Sequence, residues 1–243
     1  MAVLFPVVPD LCLGCSGLSL QRIGVGRSAV RSGKRKVMKI ECYAASLTQE
    51  GRKINEDAWL ILRGDPLCVA LCDGAGDARR AAKRALQSFE KFFKEAKREE
   101  IAAFPTWSRW VKLLDSSLLG GDQSTFIAIA VLEERIFGAC VGDSRLYRVT
   151  RDGEISIPSE GAVKFRLGSG RVQPFPILLP INRGDILLLM SGGAWTPLNL
   201  YSLKKVVIRS ATGHFSELPS NILEEAGKAG RADDMTVIAL KGH

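Results

Sequence analysis

The order of short apolar segments and amphipathic helices along the chain is the strongest constraint on its fold. Residues 39–46, 58–63 and 67–72 are short and rich in apolar or β-branched residues, which predicts three strands. Apolar residues then recur at steps of three and four between Ala78 and Ala96, with Lys, Arg and Glu between them. This period predicts a long amphipathic helix, and a second helix is predicted over residues 105–119.

The second half of the chain contains more strands than helices. Residues 124–155 predict a meander of strands with tight turns at Glu133-Glu134, Gly142-Asp143 and Asp152-Gly153. Beyond the meander, the pattern predicts a strand over 185–191, a helix over 218–229 and a closing strand over 235–240. Strands and helices are grouped and do not alternate, so the predicted class is α+β.

Residues 1–37 differ in character from the rest and are predicted to lie outside the folded domain, which we place at 38–243. They are rich in Gly, Ser and Arg, and Asp10 is their one acidic residue. Three interpretations are open: a start codon assigned too early, with Met38 as the true start; an organelle-targeting peptide; or a disordered basic arm. The first is favoured, so we expect a cytoplasmic protein, with import into an organelle as the alternative.

Charge and cysteines exclude several classes of function. The net charge is +8, but six basic residues and Asp10 give residues 1–37 a charge of +5, which leaves +3 for the remainder. That remainder has no basic helix or basic-aromatic pattern, so we expect no nucleic-acid partner. No run of eighteen apolar residues occurs, so we expect no membrane span. Cys12 and Cys15 form a C-x-x-C pair without a second pair, and the other cysteines are interpreted as buried thiols.

Acidic residues stand at the ends of several predicted strands. Glu56 and Asp57 precede one strand, Asp73 ends the next, Asp143 lies in a predicted turn, and Asp233 precedes the last strand. A carboxylate in a turn is ordinarily a solvated cap. Several carboxylates at strand ends instead suggest a site for Mg²⁺ or Mn²⁺, which prefer oxygen ligands.

Four motifs in order carry a family resemblance. They are R-x-x-N-E-D at 52–57, D-G-x-G at 73–76, G-D-S-R at 142–145 and D-D-M-T-V at 233–237. Together with the flanking strands, this order resembles the metal-dependent serine/threonine protein phosphatases of type 2C. The resemblance covers about 40–243 and implies an α-β-β-α sandwich of two antiparallel sheets, with a metal cluster at one end.

The resemblance also implies roles for individual residues. Arg52 would bind the substrate phosphate, and Asp73 would bridge two metal ions, so these are the predicted catalytic residues. The other predicted metal-site residues are Glu56 and Asp57, which would hold metal-bound waters, Gly74 through its carbonyl, Asp233, and Asp143 at a weaker third site. The implied reaction is in-line attack of a metal-activated water on phosphoserine or phosphothreonine.

The chain departs from the family pattern at several positions. Ser191-Gly192-Gly193 stands where the family has S-D-G, so Gly192 replaces an expected ligand. Asp185 lies at the far end of the same predicted strand and does not offer an obvious replacement. Ala75 stands where many members carry a histidine, and Asp77 replaces a glycine. The short distance from Asp143 to Gly192 predicts a short flap segment.

Two functions follow as expectations. The first is a protein serine/threonine phosphatase with two Mn²⁺ or Mg²⁺ ions, acting as a monomer on phosphoproteins made by a cognate kinase. The second is an inactive pseudophosphatase that serves as a regulatory binding module, because Gly192 removes a ligand. Other hydrolase classes lack their motifs: no cysteine is followed by the C-x₅-R spacing, and no G-x-S-x-G elbow occurs.

Overall fold

The structure is a computed structural model that describes residues 38–74 and 79–243. The strands are β1 (Ile40–Leu47), β2 (Ala58–Leu62), β3 (Leu67–Cys72), β4 (Phe126–Leu132), β5 (Arg135–Val141), β6 (Arg145–Val149), β7 (Ile155–Ser156), β8 (Phe175–Pro180), β9 (Ile186–Met190) and β10 (Met235–Gly242). The helices are α1 (Arg79–Glu95), α2 (Arg98–Ile101), α3 (Phe104–Leu118), α4 (Gly192–Trp195), α5 (Leu200–Thr212) and α6 (Leu218–Gly227), with a 3₁₀ turn at Phe215–Glu217.

The strands form two five-stranded sheets in which every pairing is antiparallel. One sheet has the order β1-β10-β9-β6-β7, and the other has the order β2-β3-β4-β5-β8. Helices α1 and α3 cover the second sheet, while α5 and α6 cover the first. The predicted α-β-β-α sandwich of two antiparallel sheets is therefore confirmed.

Three apolar cores lie between the four layers. Strand β3 contributes side chains to two of these cores. Val69 and Leu71 face the other sheet, whereas Cys68, Ala70 and Cys72 face α1 and α3. Side chains alternate between the two faces of a strand, so a strand buried on both faces reads as an uninterrupted apolar run. The thiols of Cys68 and Cys72 are buried and free, as the sequence indicated.

An aromatic cluster fixes the helical layer against the second sheet. Phe89 of α1 contacts Trp107 and Trp110 of α3 and Phe126 of β4, with ring centroids 5.1 to 6.0 Å apart. The indole N–H of Trp107 donates to the carbonyl of Ile101 at 2.8 Å, so this buried polar group is satisfied. The pairs of Phe89 with Trp110 and with Phe126 are edge-to-face, an arrangement that adds to the free energy gained by burying the rings themselves.

The structure adds elements that the periodicity did not indicate. Helix α5 exposes Leu200, Tyr201 and Ile208 to solvent, which blurs the apolar period along its sequence. Strand β8 contains two prolines, Pro176 and Pro180, which are unusual within a strand. They are tolerated because β8 lies at the edge of its sheet. Residues 157–174, between β7 and β8, contain turns and one isolated bridge, consistent with the predicted short flap.

Within the described ranges, no helix has the length and apolar character needed to cross a membrane. The interpretations of residues 1–37, of Cys12 and Cys15, and of Ala75 and Asp77 fall outside the described residues. The domain boundary at Met38 stays a prediction.

We predict that a protein beginning at Met38 melts within about one degree of the full chain, because residues 1–37 are not expected to pack against the sandwich. The matched control begins at Cys42 and so lacks Met38 and Ile40, which pack in the core between the sheets. It should lose several degrees of Tm, since truncating buried apolar groups removes about 1 kcal/mol or more each. A large fall in Tm for the first protein would show that residues 1–37 contribute to the fold.

Candidate metal centre

Asp73 is placed by the end of β3 and by the start of β4. Its N–H donates to Thr125 Oγ1 at 2.9 Å, and its carbonyl accepts from the N–H of Thr125 at 2.9 Å and the hydroxyl of Ser124 at 3.0 Å. The backbone is thus held on both sides, and the carboxylate points toward the other sheet. There its Oδ2 accepts from the N–H of Gly192 at 3.1 Å.

Asp57 lies beside Asp73 because of the register between β2 and β3. Ala58 pairs with Cys72, so the residue before β2 and the residue after β3 meet at the same sheet edge. Asp57 is buried, and the side chains of Thr236 and Ser191 lie near enough to its carboxylate to lower its pKa. Its Oδ2 atom is buried without a hydrogen-bond partner.

Burial and mutual repulsion both act on these two carboxyls. Burial is the largest cause that raises the pKa of Asp73 to about 7, and the carboxylates of Asp233 and Asp143 raise it further. The pKa of Asp57 is also raised well above its usual range, first by burial and then by Asp73. Like charges that are buried together disfavour ionisation, and a bound cation would remove that penalty.

Gly192, which follows strand β9, faces Asp73 and Asp143. A Cβ atom at Gly192 would lie 3.3 Å from Asp73 Oδ2 and 4.0 Å from Asp143 Oδ2. Strand β9 and Ser191 deliver the position, because Ser191 N–H donates to the carbonyl of Thr236 and Ser191 Oγ accepts from the N–H of Thr236. Gly192 has no left-handed φ, so an aspartate there would meet no backbone strain.

Asp143 reaches the cluster from the turn between β5 and β6. Its carbonyl accepts from the indole N–H of Trp195 at 2.9 Å, which ties the turn to α4. The guanidinium of Arg145 lies over the ring of Trp195, 3.5 Å from its centroid. The Oδ1 atom of Asp143 is buried and has no hydrogen-bond partner.

Asp233 and Asp234 have different surroundings, although they are adjacent. Asp233 is near enough to Asp73 to raise its pKa, in agreement with a place in the cluster. The carboxylate of Asp234 instead accepts from the N–H of Gln49 at 2.7 Å and from the N–H of Glu56 at 2.6 Å. Asp234 therefore holds the loop before β2, a role that the sequence reasoning missed. The sequence signal that could have indicated this role is the second aspartate of the Asp233-Asp234 pair.

Arg52 and Glu56 lie at the rim of the cluster. Arg52 Nη1 lies 3.0 Å from Glu56 Oε1, and the side chain of Arg52 is 41% exposed while that of Glu56 is 11% exposed. The guanidinium is therefore accessible from solvent beside the buried carboxylates. The metal-ligand role predicted for the carbonyl of Gly74, and the water-holding role predicted for Glu56, stay predictions.

Asp185 lies elsewhere, as the sequence indicated. Its Oδ2 accepts from Arg148 Nη2 at 2.7 Å and from Arg148 Nε at 3.0 Å, at the start of β9. This buried ion pair links β6 to β9 at the opposite end from Gly192. Asp185 therefore does not replace the missing ligand.

The donors suit a hard cation, but their arrangement is incomplete. Asp57 and Asp73 supply buried carboxylate oxygens, one of them without a partner, and oxygen donors fit Mg²⁺ or Mn²⁺. Among residues 38–74 and 79–243, however, no three acidic, His or Cys side chains are grouped closely enough to hold a metal ion. At position 192, where the motif order led us to expect an aspartate, the chain has a glycine, which offers no side-chain donor.

Comparison with known proteins gives matches in structure only. No protein-family model matches the sequence, and no curated protein matches it. The S. agalactiae serine/threonine phosphatase matches with a TM-score of 0.71 at 18% identity, over 83% of this chain and 99% of that one. The catalytic domain of the phosphatase PstP, in complex with two manganese ions, gives 0.69 at 21% identity over 85% and 99%. RsbX in complex with magnesium gives 0.67 at 16% identity over 88% and 100%.

These matches cover nearly the whole length of the solved chains, so the likeness includes all four layers. The protein therefore has a type 2C-like phosphatase fold, as the motif order implied. At these identities the likeness concerns the fold, and the activity is taken up as a proposal below.

The raised pKa of Asp73 predicts how the stability of the metal-free protein depends on pH. The unfolded carboxyl titrates near about 3.9, so between that pH and about 7 the folded state holds a proton that the unfolded state has released. Stability is therefore highest at low pH in this window and falls as the pH rises. In chelator, Tm should fall between about pH 5 and about pH 8.

Asp73→Asn should flatten this dependence in part, because Asp57 also has a raised pKa and would continue to titrate. Thermal melts across the pH range provide the measurement. A Tm that rises toward pH 8 in chelator would contradict the burial of ionisable carboxyls in this cluster.

Proposed function

We propose that this protein is a metal-dependent protein phosphatase that hydrolyses phosphoserine and phosphothreonine, with a metal site weakened at Gly192. The observation that carries the proposal is the buried pair Asp57 and Asp73 at one end of a type 2C-like fold. Two like charges are costly to bury without a compensating cation. Its substrates would be phosphoproteins made by a serine/threonine kinase.

The residues that would hold Mn²⁺ or Mg²⁺ are the carboxylates of Asp57, Asp73, Asp143 and Asp233, together with the carbonyl of Gly74. When bound, the ion supplies Lewis acidity and lowers the pKa of a coordinated water. The side chains of Ser191 and Thr236 lie near the Asp57 carboxylate and favour its charged form. The Gly192 N–H fixes the direction of the Asp73 carboxylate.

Arg52 would bind the phosphate dianion at the rim. Its guanidinium is planar and carries five N–H donors, which suits two phosphate oxygens at once. The ion pair with Glu56 engages the guanidinium at Nη1 and fixes its position, while the side chain stays 41% exposed. Positive charge at the rim would also offset the negative charge that a phosphate brings to an acidic site.

The serine or threonine oxygen that leaves must take up a proton as the phosphorus–oxygen bond breaks, so that it departs as a hydroxyl. The chain has two histidines, His214 and His243. His243 lies 3.4 Å from Glu41 at the end of β10, and His214 precedes the 3₁₀ turn in the outer helical layer. Neither belongs to the cluster, so we assign the proton to solvent water.

The first test is Mn²⁺-dependent hydrolysis of p-nitrophenyl phosphate. Wild-type protein should turn over slowly with Mn²⁺ and not in chelator, and Asp73→Asn should abolish the Mn²⁺-dependent rate, because the amide removes a charged donor. Asp152→Asn is the matched control, since Asp152 lies in the exposed turn between β6 and β7. Unchanged Mn²⁺-dependent turnover in Asp73→Asn would place the reaction elsewhere.

A pseudophosphatase is the second candidate, and two observations favour it. At position 192, where a carboxylate ligand was expected, the backbone N–H donates to Asp73 Oδ2. In addition, no three acidic, His or Cys side chains among the described residues lie close enough together to hold a metal ion. In that case the same fold would bind a phosphorylated partner at Arg52 without hydrolysis.

Gly192→Asp separates the two candidates. The new carboxylate would reach the space beside Asp73 and Asp143, so Mn²⁺ affinity by calorimetry and turnover should each rise by about tenfold or more, if one ligand is worth about 1.4 kcal/mol. Gly192→Asn is the matched control, because it adds the same volume without the charge. Tm in Mn²⁺ establishes that both variants are folded.

A folded Gly192→Asp protein that gains neither affinity nor rate would contradict the weakened-phosphatase proposal. The pseudophosphatase would then be the better description. A gain shared equally by Gly192→Asn would show that packing, and not a metal ligand, is what position 192 lacks.

A further inference from the structure

Arg166 is carried to the acidic cluster by a fixed piece of backbone. It lies in the segment 157–174, which connects β7 to β8, and the next residue, Leu167, forms a bridge with Ser124. Leu167 N–H donates to the Ser124 carbonyl at 2.8 Å, and Leu167 is fully buried. Ser124 also bridges Gly74, the residue after Asp73. Arg166 therefore directly precedes a residue that is tied through Ser124 to the backbone beside Asp73.

Helix α3 anchors the other side of this segment. The buried carboxylate of Asp115 accepts from the N–H of Gly168 at 2.7 Å and from the N–H of Gly170 at 3.2 Å. Gly168 has a φ of +88°, a conformation that glycine adopts without strain. A third bond runs from the N–H of Gly142 to the carbonyl of Val163 at 3.3 Å and ties the segment to the turn that carries Asp143.

The guanidinium of Arg166 faces the carboxylates on one side of the cluster. Its Nη2 lies 3.9 Å from Asp143 Oδ1, the atom that is buried without a hydrogen-bond partner. Arg166 also lowers the pKa of Asp73, against the rise caused by burial. The side chain of Arg166 is 32% exposed, so it approaches the cluster from the solvent side.

Gly192 faces the same two carboxylates. A side chain at Gly192 would point at Asp73 Oδ2 and Asp143 Oδ2. This side of the cluster therefore lacks one anion that the motif order led us to expect, and it has a cation beside it. The missing anion and the nearby cation both make the charge on this side of the cluster less negative.

We propose that Arg166 is a built-in counter-cation for Asp143 and that it competes there with a divalent metal ion. The competition rests on the proposed metal site, but not on turnover. Arginine keeps its charge at every physiological pH, so this compensation is permanent. A partly exposed ion pair is weak, which allows an ion to displace the guanidinium at a cost in affinity.

The test uses the full chain and two measurements that do not depend on catalysis. Arg166→Gln should lower Tm in chelator, because the carboxylate of Asp143 loses its counter-charge. It should also raise Mn²⁺ affinity by calorimetry by about two- to fivefold, the range expected for a partly exposed ion pair. Arg166→Lys keeps the charge and should restore both values toward wild type.

Arg171→Gln is the matched control. Arg171 belongs to the same segment, and its guanidinium lies over the ring of Phe165, 5.1 Å from the centroid. The Arg171→Gln substitution should leave the Mn²⁺ affinity unchanged, because no ion pair joins Arg171 to the carboxylates of the cluster among the described residues.

If Arg166→Gln has the same Tm as the wild type in chelator, the proposed role of Arg166 as a counter-cation is wrong. A fall in Mn²⁺ affinity, or no measurable Mn²⁺ binding in either protein, would overturn the competition. Loss of Tm shared by Arg166→Lys would assign Arg166 a packing role instead. Lack of turnover on p-nitrophenyl phosphate would count against the phosphatase and would leave these readouts intact, so the two failures are distinguishable.

Discussion

Two buried carboxylates, Asp57 and Asp73, lie side by side because β2 and β3 pair in a register that ends at Ala58 and Cys72. Burial and repulsion raise the pKa of both groups, so this arrangement opposes folding at neutral pH when no cation is bound. The three apolar cores stabilise the sandwich strongly enough to impose it. A fold that maintains such a costly pair at one sheet edge is typical of a site that gains the lost energy on binding a ligand.

The cluster needs both sheets. One sheet supplies Asp57 and Asp73, while β9 and β10 of the other supply Gly192 and Asp233. Reciprocal hydrogen bonds between Ser191 and Thr236 fix those two strand ends against each other, and the Gly192 N–H reaches across to Asp73. Gly193 permits this approach, since a Cβ there would stand 2.2 Å from the carbonyl oxygen of Asp234. The site geometry therefore depends on how the sheets pack, and its precision comes from the sandwich core.

Strands and strand-end residues were predictable because their signal is local. An apolar run ending in Asp73 needs no knowledge of the tertiary structure, and the position of Gly192 follows from the strand before it. Arg166 and Asp115 were not predictable in this way, because their positions depend on a bridge between Ser124 and Leu167 and on a helix-to-loop contact, both distant in sequence. Helix α5 was missed for a different reason: its exposed apolar residues hide the period on which the prediction depends.

The net charge beside Asp73 and Asp143 affects how strongly the cluster would attract a metal ion. Gly192, at a position where the motif order led us to expect an aspartate, offers no side-chain donor and places no repulsive charge beside Asp73 and Asp143. A guanidinium 3.9 Å from Asp143 lowers the electrostatic penalty further without any metal. Both features stabilise the metal-free state relative to the metal-bound state, since each weakens the attraction that a cation would feel. They act on the same carboxylates, so their effects on metal affinity are expected to be coupled and not additive. Under the proposed metal-dependent function, metal occupancy is thus expected to follow the divalent-ion concentration, in contrast to a site that holds its ions permanently.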